Sequence, residues 1–240
     1  MMTLLCGCDL INPTMGPSST NTTDYSYIYA TPTPMPVPES QLVEQLGPLS
    51  SLNEAINFIK ILNTDNTTTS VVINTNIPLF TNNDFGITDT TFTTDIYGRP
   101  LSATSIITIE NLEEDVILPD LSYYEPLGWS DSRYVRKVAL ISEDLCGYNS
   151  TSGIITGTKL LRQSLTTMEE RIQTIVTDNP DISILYRVTA VYCDDNNIVP
   201  NGLLVEAYSI EDNGETFMCC TYLLNIQSRR TIDYTTGEVS

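Results

Sequence analysis

Histidine is absent from all 240 residues. With it goes the side chain best suited to general-base work near neutral pH and to ligating zinc, copper or iron. Ser-His-Asp and Cys-His arrangements are therefore excluded. The six cysteines include no C-x-x-C pair, which removes a cysteine-only zinc centre. No run approaches ~18 consecutive apolar residues, so no segment reads as a membrane-spanning helix. Positive charge is scarce: 11 Lys and Arg stand against 30 Asp and Glu, a formal net charge of −19, and only Lys60 precedes Arg99. Phosphate backbones are gripped by cations that displace counterions, so long-range repulsion disfavours nucleic acid as a partner. The bases that exist gather in one stretch, at Arg133, Arg136, Lys137, Lys159, Arg162 and Arg171. Such a cluster is either solvated charge around a helix or the relic of a phosphate-binding face.

What is present divides into three parts, 1–8, 9–48 and 49–240. The opening "MMTLLCGCDL" is too short for a complete signal peptide, yet Leu5-Cys6-Gly7-Cys8 has the small residues before a cysteine that a lipoprotein-processing site needs, with Cys8 as the lipidated residue. The stretch Asn12 to Ser40 alternates Pro with Thr and Ser and shows no apolar periodicity, the composition of an extended tether. Together these predict an extracellular, cell-surface lipoprotein that meets the membrane only through an N-terminal lipid.

In the third part, Leu52, Ala55, Ile56, Ile59 and Leu62 recur at helical spacing, with Ser51 or Asn53 as cap. "SVVINTNIP" and Ser102 to Glu110 read as strands. A helix follows over Leu165, Met168, Ile172 and Ile175, capped by Ser164 or Thr166 and stopped by Asn179-Pro180. Three β runs, beginning at Ile182, Gly202 and Thr216, close the chain through "DDNNIVPN" and "DNG" turns. This order implies an α+β fold, helices beside an antiparallel sheet. Cys146, Cys193, Cys219 and Cys220 could form one or two disulfides in an extracellular domain. Cys193 and Cys219 fall at opposite ends of the middle strand, so that pairing is geometrically poor, and adjacent Cys219 and Cys220 face opposite sides of a strand.

Several segments, in order, resemble the DNA/RNA non-specific endonuclease family in its secreted branch: "INTNIPLFTNNDF", "IYGRPLSA" with Gly98, Arg99 and Ala103 matching, "EPLGW", "GIITGTKLL", and the closing runs from "LYRVTAVYC" to "NIQSRRTIDYTTGE". The resemblance spans Val71 to Glu238 and implies a ββα-metal nuclease-like fold. It also implies a site. In active relatives the R-C-H-L-I motif supplies a His that deprotonates the attacking water, and the Asn ending T-G-T-R-x-x-N holds a divalent ion.

Here the first motif reads Lys137-Val138-Ala139-Leu140-Ile141, so Ala139 stands at the position of the His. Arg162 stands at the metal-ligand position, Gly153 replaces the Asn opening the second motif, and Glu170 is kept from the acidic helix. Loss of a positioned base removes a factor of ~10² to 10⁴. A guanidinium ~4 Å from a cation repels it by about 4 kcal/mol at an effective dielectric near 20. The sequence thus points to a pseudo-endonuclease with no cofactor, whose role is binding or structural. Its partner would be an unknown protein or cell-surface component, and Arg136, Lys137, Lys159 and Arg162 are the candidate contacts. The alternative is an active nuclease with Mg²⁺ on Glu143, Asp144 and Glu170.

Overall fold

The computed structural model describes residues 48–62, 64, 67–113, 118, 120–146 and 149–240. Cys8, most of the tether and the terminal processing site lie outside these residues.

Helix α1 (Leu52–Ile61) is capped by Ser51, whose Oγ accepts from Glu54 N at 3.3 Å, and it buries Ala55 and Ile59. Strands β1 (Ser70–Val72), β2 (Thr91–Thr94) and β3 (Pro100–Ile107) precede a short helix α2 (Ile109–Glu113). Strand β4 (Val135–Ala139), helix α3 (Glu143–Cys146), strand β5 (Ile154–Thr158) and helix α4 (Lys159–Asp178) form the middle of the chain. Strands β6 (Ile184–Val191), β7 (Gly202–Ser209) and β8 (Met218–Leu224) form the closing meander.

The main sheet has six strands in the order β1-β8-β7-β6-β3-β2, every neighbouring pair antiparallel, and β4 pairs with β5 in a separate two-stranded sheet. Alternation along the meander sends side chains to both faces, and both are covered. Tyr186, Val188, Leu203, Val205, Ala207 and Cys219 join a core with Leu161, Leu165 and Ile172 of α4. Leu204, Cys220, Tyr222 and Leu224 pack with Ala55 and Ile59 of α1 and with Ile73 and Leu79. On that second face Glu206 is fully buried: its carboxylate accepts from Arg187 Nε at 2.8 Å and from Leu79 N at 2.7 Å. Arg187 also reaches Asp84 at 3.1 Å.

The expected meander, its "DNG" turn and the opposed faces of Cys219 and Cys220 match the structure; Asn213 and Gly214 have φ of 57° and 85°, the left-handed backbone such turns require. Four expectations are corrected. "SVVINTNIP" is a strand only to Val72, because Asn74, Thr75 and Asn76 take φ of 49°, 51° and 69°, and Asn76 spends its side chain on Met218 O and Cys220 N. The strand expected to reach Glu110 ends at Ile107, where Thr108 and Asn111 exchange capping hydrogen bonds and start α2. Helix α4 begins at Lys159, before the expected Ser164 or Thr166 cap, because Thr158 is its cap. Finally, Cys193, Cys219 and Cys220 are free thiols, so no disulfide joins any two of them.

Candidate functional site

Strand β5 runs into α4 without a loop. Thr158 makes the junction: its Oγ1 accepts from Leu161 N at 3.0 Å and donates to Ile226 O at 2.7 Å, and its own N donates to buried Asn225 Oδ1 at 2.8 Å. The β4–β5 pair followed by α4 is therefore pinned to the end of the main sheet. Across the pair Ala139 faces Ile154, and Leu140 N donates to Gly153 O at 2.8 Å. The two sequence-distant positions 139 and 153 thus meet at one strand end, and the first turns of α4 pass beside them.

An open groove follows. Ala139, Gly153, Arg162 and Glu170 all line it, as do Glu143, Asp144, Arg136 and Lys137. Lys159, the remaining predicted contact, is exposed and lies outside the lining. Arg136 turns back to Val135 O at 2.6 Å and Arg133 O at 3.1 Å. Lys137 Nζ donates to Ser122 O at 2.5 Å and sits 5.1 Å from the Trp129 ring centroid. Both cations are held by neutral groups, and neither has a carboxylate within ion-pair distance among the described residues.

Two lining residues were not anticipated. Phe92, from β2, lays its ring against Gly153: a Cβ added there would stand well inside van der Waals distance of Phe92 Cδ1 and Cε1. The place where a side chain at 153 would project is filled by an aromatic ring from another sheet. No sequence pattern links the two positions. Glu169 is the other. It lies on the buried stripe Leu161, Leu165, Glu169, Ile172, Val176 of α4, and its Oε1 accepts from Ser142 N at 2.9 Å. Burial pushes its carboxyl up to about 7, against the Ser142 amide and hydroxyl that pull it down, and nearby Asp144 adds to the rise. Extending the apolar stripe back to Leu161 would have put Glu169 on the core face; the neighbouring Met168 obscured that phase.

These side chains offer little to the divalent ion that the family resemblance implies. Arg162 brings a cation to the ligand position, Gly153 brings no side-chain donor and its carbonyl accepts from Leu140 N, Glu143 is engaged by Asn149 Nδ2 at 2.8 Å, and Glu169 by Ser142. Among the described residues no three His, Cys, Asp or Glu side chains converge as a metal cluster, so Glu143, Asp144 and Glu170 share the groove without forming one. The donor set does not fit the ion.

No family profile and no curated protein matches the chain. Solved structures do. The magnesium-bound structure of NucA from Streptococcus agalactiae is 25% identical, with a TM-score of 0.61 over 74% of this chain and 90% of that one. The metal-free NucA structure is 24% identical, with a TM-score of 0.61 over 80% of this chain and 99% of that one. The zinc-bound Sda1 nuclease is 19% identical, with a TM-score of 0.55 over 64% of this chain and 82% of that one. With a mixed α and β architecture and its ββα module set beside an antiparallel sheet, the chain carries a DNA/RNA non-specific endonuclease-like fold.

Proposed function

We propose that this protein is an extracellular, lipid-anchored pseudo-endonuclease: it keeps the nuclease-like fold, has given up phosphodiester hydrolysis, and serves a binding or structural role toward a protein or cell-surface partner. The observation that carries the reading is the composition of the groove lining. The Ala139 side chain has no atom able to take a proton, Arg162 lines the same groove with a cation, and the Phe92 ring fills the space at Gly153. A water at that position meets no proton acceptor on residue 139, and the donors present do not fit the metal that would lower its pKa; base and metal each contribute substantially to metal-assisted hydrolysis. The lipidation motif ending at Cys8 and the Pro- and Thr-rich segment after it support surface anchoring.

The test is cleavage of plasmid and RNA by the full-length protein in excess Mg²⁺ or Mn²⁺, beside the Ala139→His/Arg162→Asn variant. The natural protein should be inert. The double variant alone should gain little, and adding Gly153→Asn with Phe92→Ala, which clears the ring, should raise activity above it. Chelator-sensitive cleavage by the natural protein would sink the proposal and return Glu143, Asp144 and Glu170 as candidate ligands.

A further inference from the structure

Away from the groove lining, Tyr134 draws two arginines onto one oxygen. Arg133 Nη2 donates to Tyr134 Oη at 2.6 Å and Arg230 Nη2 donates to the same atom at 2.9 Å. The guanidinium carbons lie 4.7 Å and 4.9 Å from the Tyr134 ring centroid, so the ring also restrains both side chains. The two Nη2 atoms can be no farther apart than the sum of their distances to the phenol, a close approach for like charges.

Although the chain has 30 acidic residues, among the described residues no carboxylate lies within ion-pair distance of either guanidinium. A third guanidinium, that of Arg136, donates to Arg133 O at 3.1 Å and adds to the same positive field. The backbone that delivers Arg230 is itself unusual. Arg230 N closes a turn onto Gln227 O at 3.0 Å, and inside it Arg229 takes φ of 60°, a left-handed conformation that ordinary side chains avoid.

We propose that Arg133, Tyr134 and Arg230 form a receptor for a terminal tetrahedral oxyanion, a phosphate or sulfate monoester. Each guanidinium spends one of its five N–H donors on the phenol and keeps the others. The phenol retains its own O–H to donate. One Nη2 of each guanidinium meets the phenol oxygen, and the donors left around that point suit a terminal group with three free oxygens better than a diester, which has two. Hydrogen bonds from Arg230 and Arg133 hold the Tyr134 phenol below the usual range, in keeping with the positive field there. The inference does not depend on how the groove is read, since neither Tyr134 nor Arg230 lines it.

The test is calorimetric titration of the full-length protein at low ionic strength with phenyl phosphate and, separately, phenyl sulfate. One saturable site is expected. Arg133→Ala and Arg230→Ala should each weaken it at least about tenfold, the effect of removing one charge-assisted hydrogen bond. Lys60→Ala, which removes an equal charge from α1, should leave it unchanged. Arg133→Lys and Arg230→Lys, which keep the charge and lose the fork, should fall between, with folding checked by circular dichroism. The tighter-binding ester names the natural source. The proposal is overturned by absence of saturation, by equal loss in Lys60→Ala, or by a dinucleotide diester binding more tightly than either monoester.

Discussion

Glu169→Gln keeps the size of a buried side chain and its acceptor for Ser142 N while removing its titration. In the folded protein burial raises the Glu169 carboxyl from 4.5 to about 7. The folded state therefore binds a proton that the unfolded chain releases at lower pH. Stability must fall as pH rises through that window, because the unfolded state holds fewer protons there. Over the interval the slope approaches ~1.4 kcal/mol per pH unit. The accumulated loss is about 2 kcal/mol by pH 6 and about 3 kcal/mol by pH 8, after which it stays level. Urea unfolding of both proteins at pH 5, 6, 7 and 8 isolates the effect, since every other titrating group is common to the pair. The stability of Glu169→Gln minus that of the natural protein should grow with pH and flatten above about pH 7. Parallel profiles would refute the argument, showing that water reaches the carboxylate or that the fold opens to solvate it.

The packing of Phe92 on Gly153 predicts a strongly non-additive pair. Gly153→Ala alone should cost about 1–3 kcal/mol through overpacking, and the cost should largely vanish in a Phe92→Ala background; additive values in a double-mutant cycle would show that the ring is not the obstacle. On the opposite face of the main sheet, Arg187→Met leaves Glu206 buried with Leu79 N as its remaining donor. It should cost about 3–5 kcal/mol. Adding Glu206→Leu should return part of that loss by removing the stranded charge, and a further drop in the thermal midpoint would contradict this.

Local pattern made some of the fold legible. The β6–β7–β8 meander could be read because alternation and the Asp212-Asn213-Gly214 turn act within a few residues of one another. Helix α1 could be read for the same reason, through its periodicity and the Ser51 cap. The start of α4 could not. Thr158 caps it because Asn225 and Ile226, some 67 residues later, hold the Thr158 backbone and hydroxyl in place. The groove divides in the same way. Ala139, Gly153, Arg162 and Glu170 were identified in sequence through motifs that keep their order and spacing, and the structure gathers them along one lining.

Composition alone excluded histidine chemistry, because a side chain that is absent cannot be supplied by folding, and the spacing of the six cysteines spoke against a cysteine-only zinc centre. The net charge of −19 likewise follows from a count. Tertiary structure decided which charges are buried, which are paired and which confront each other. Glu169 became a near-neutral acid because α4 packs it into the core, although Glu170 beside it is exposed. Arg133 and Arg230 stand 97 positions apart in the chain and meet on one phenol. The physical reason is that burial and Coulomb energy depend on distance in space, and the Gln227 to Arg230 turn, with Arg229 in a left-handed conformation, brings Arg230 to that place.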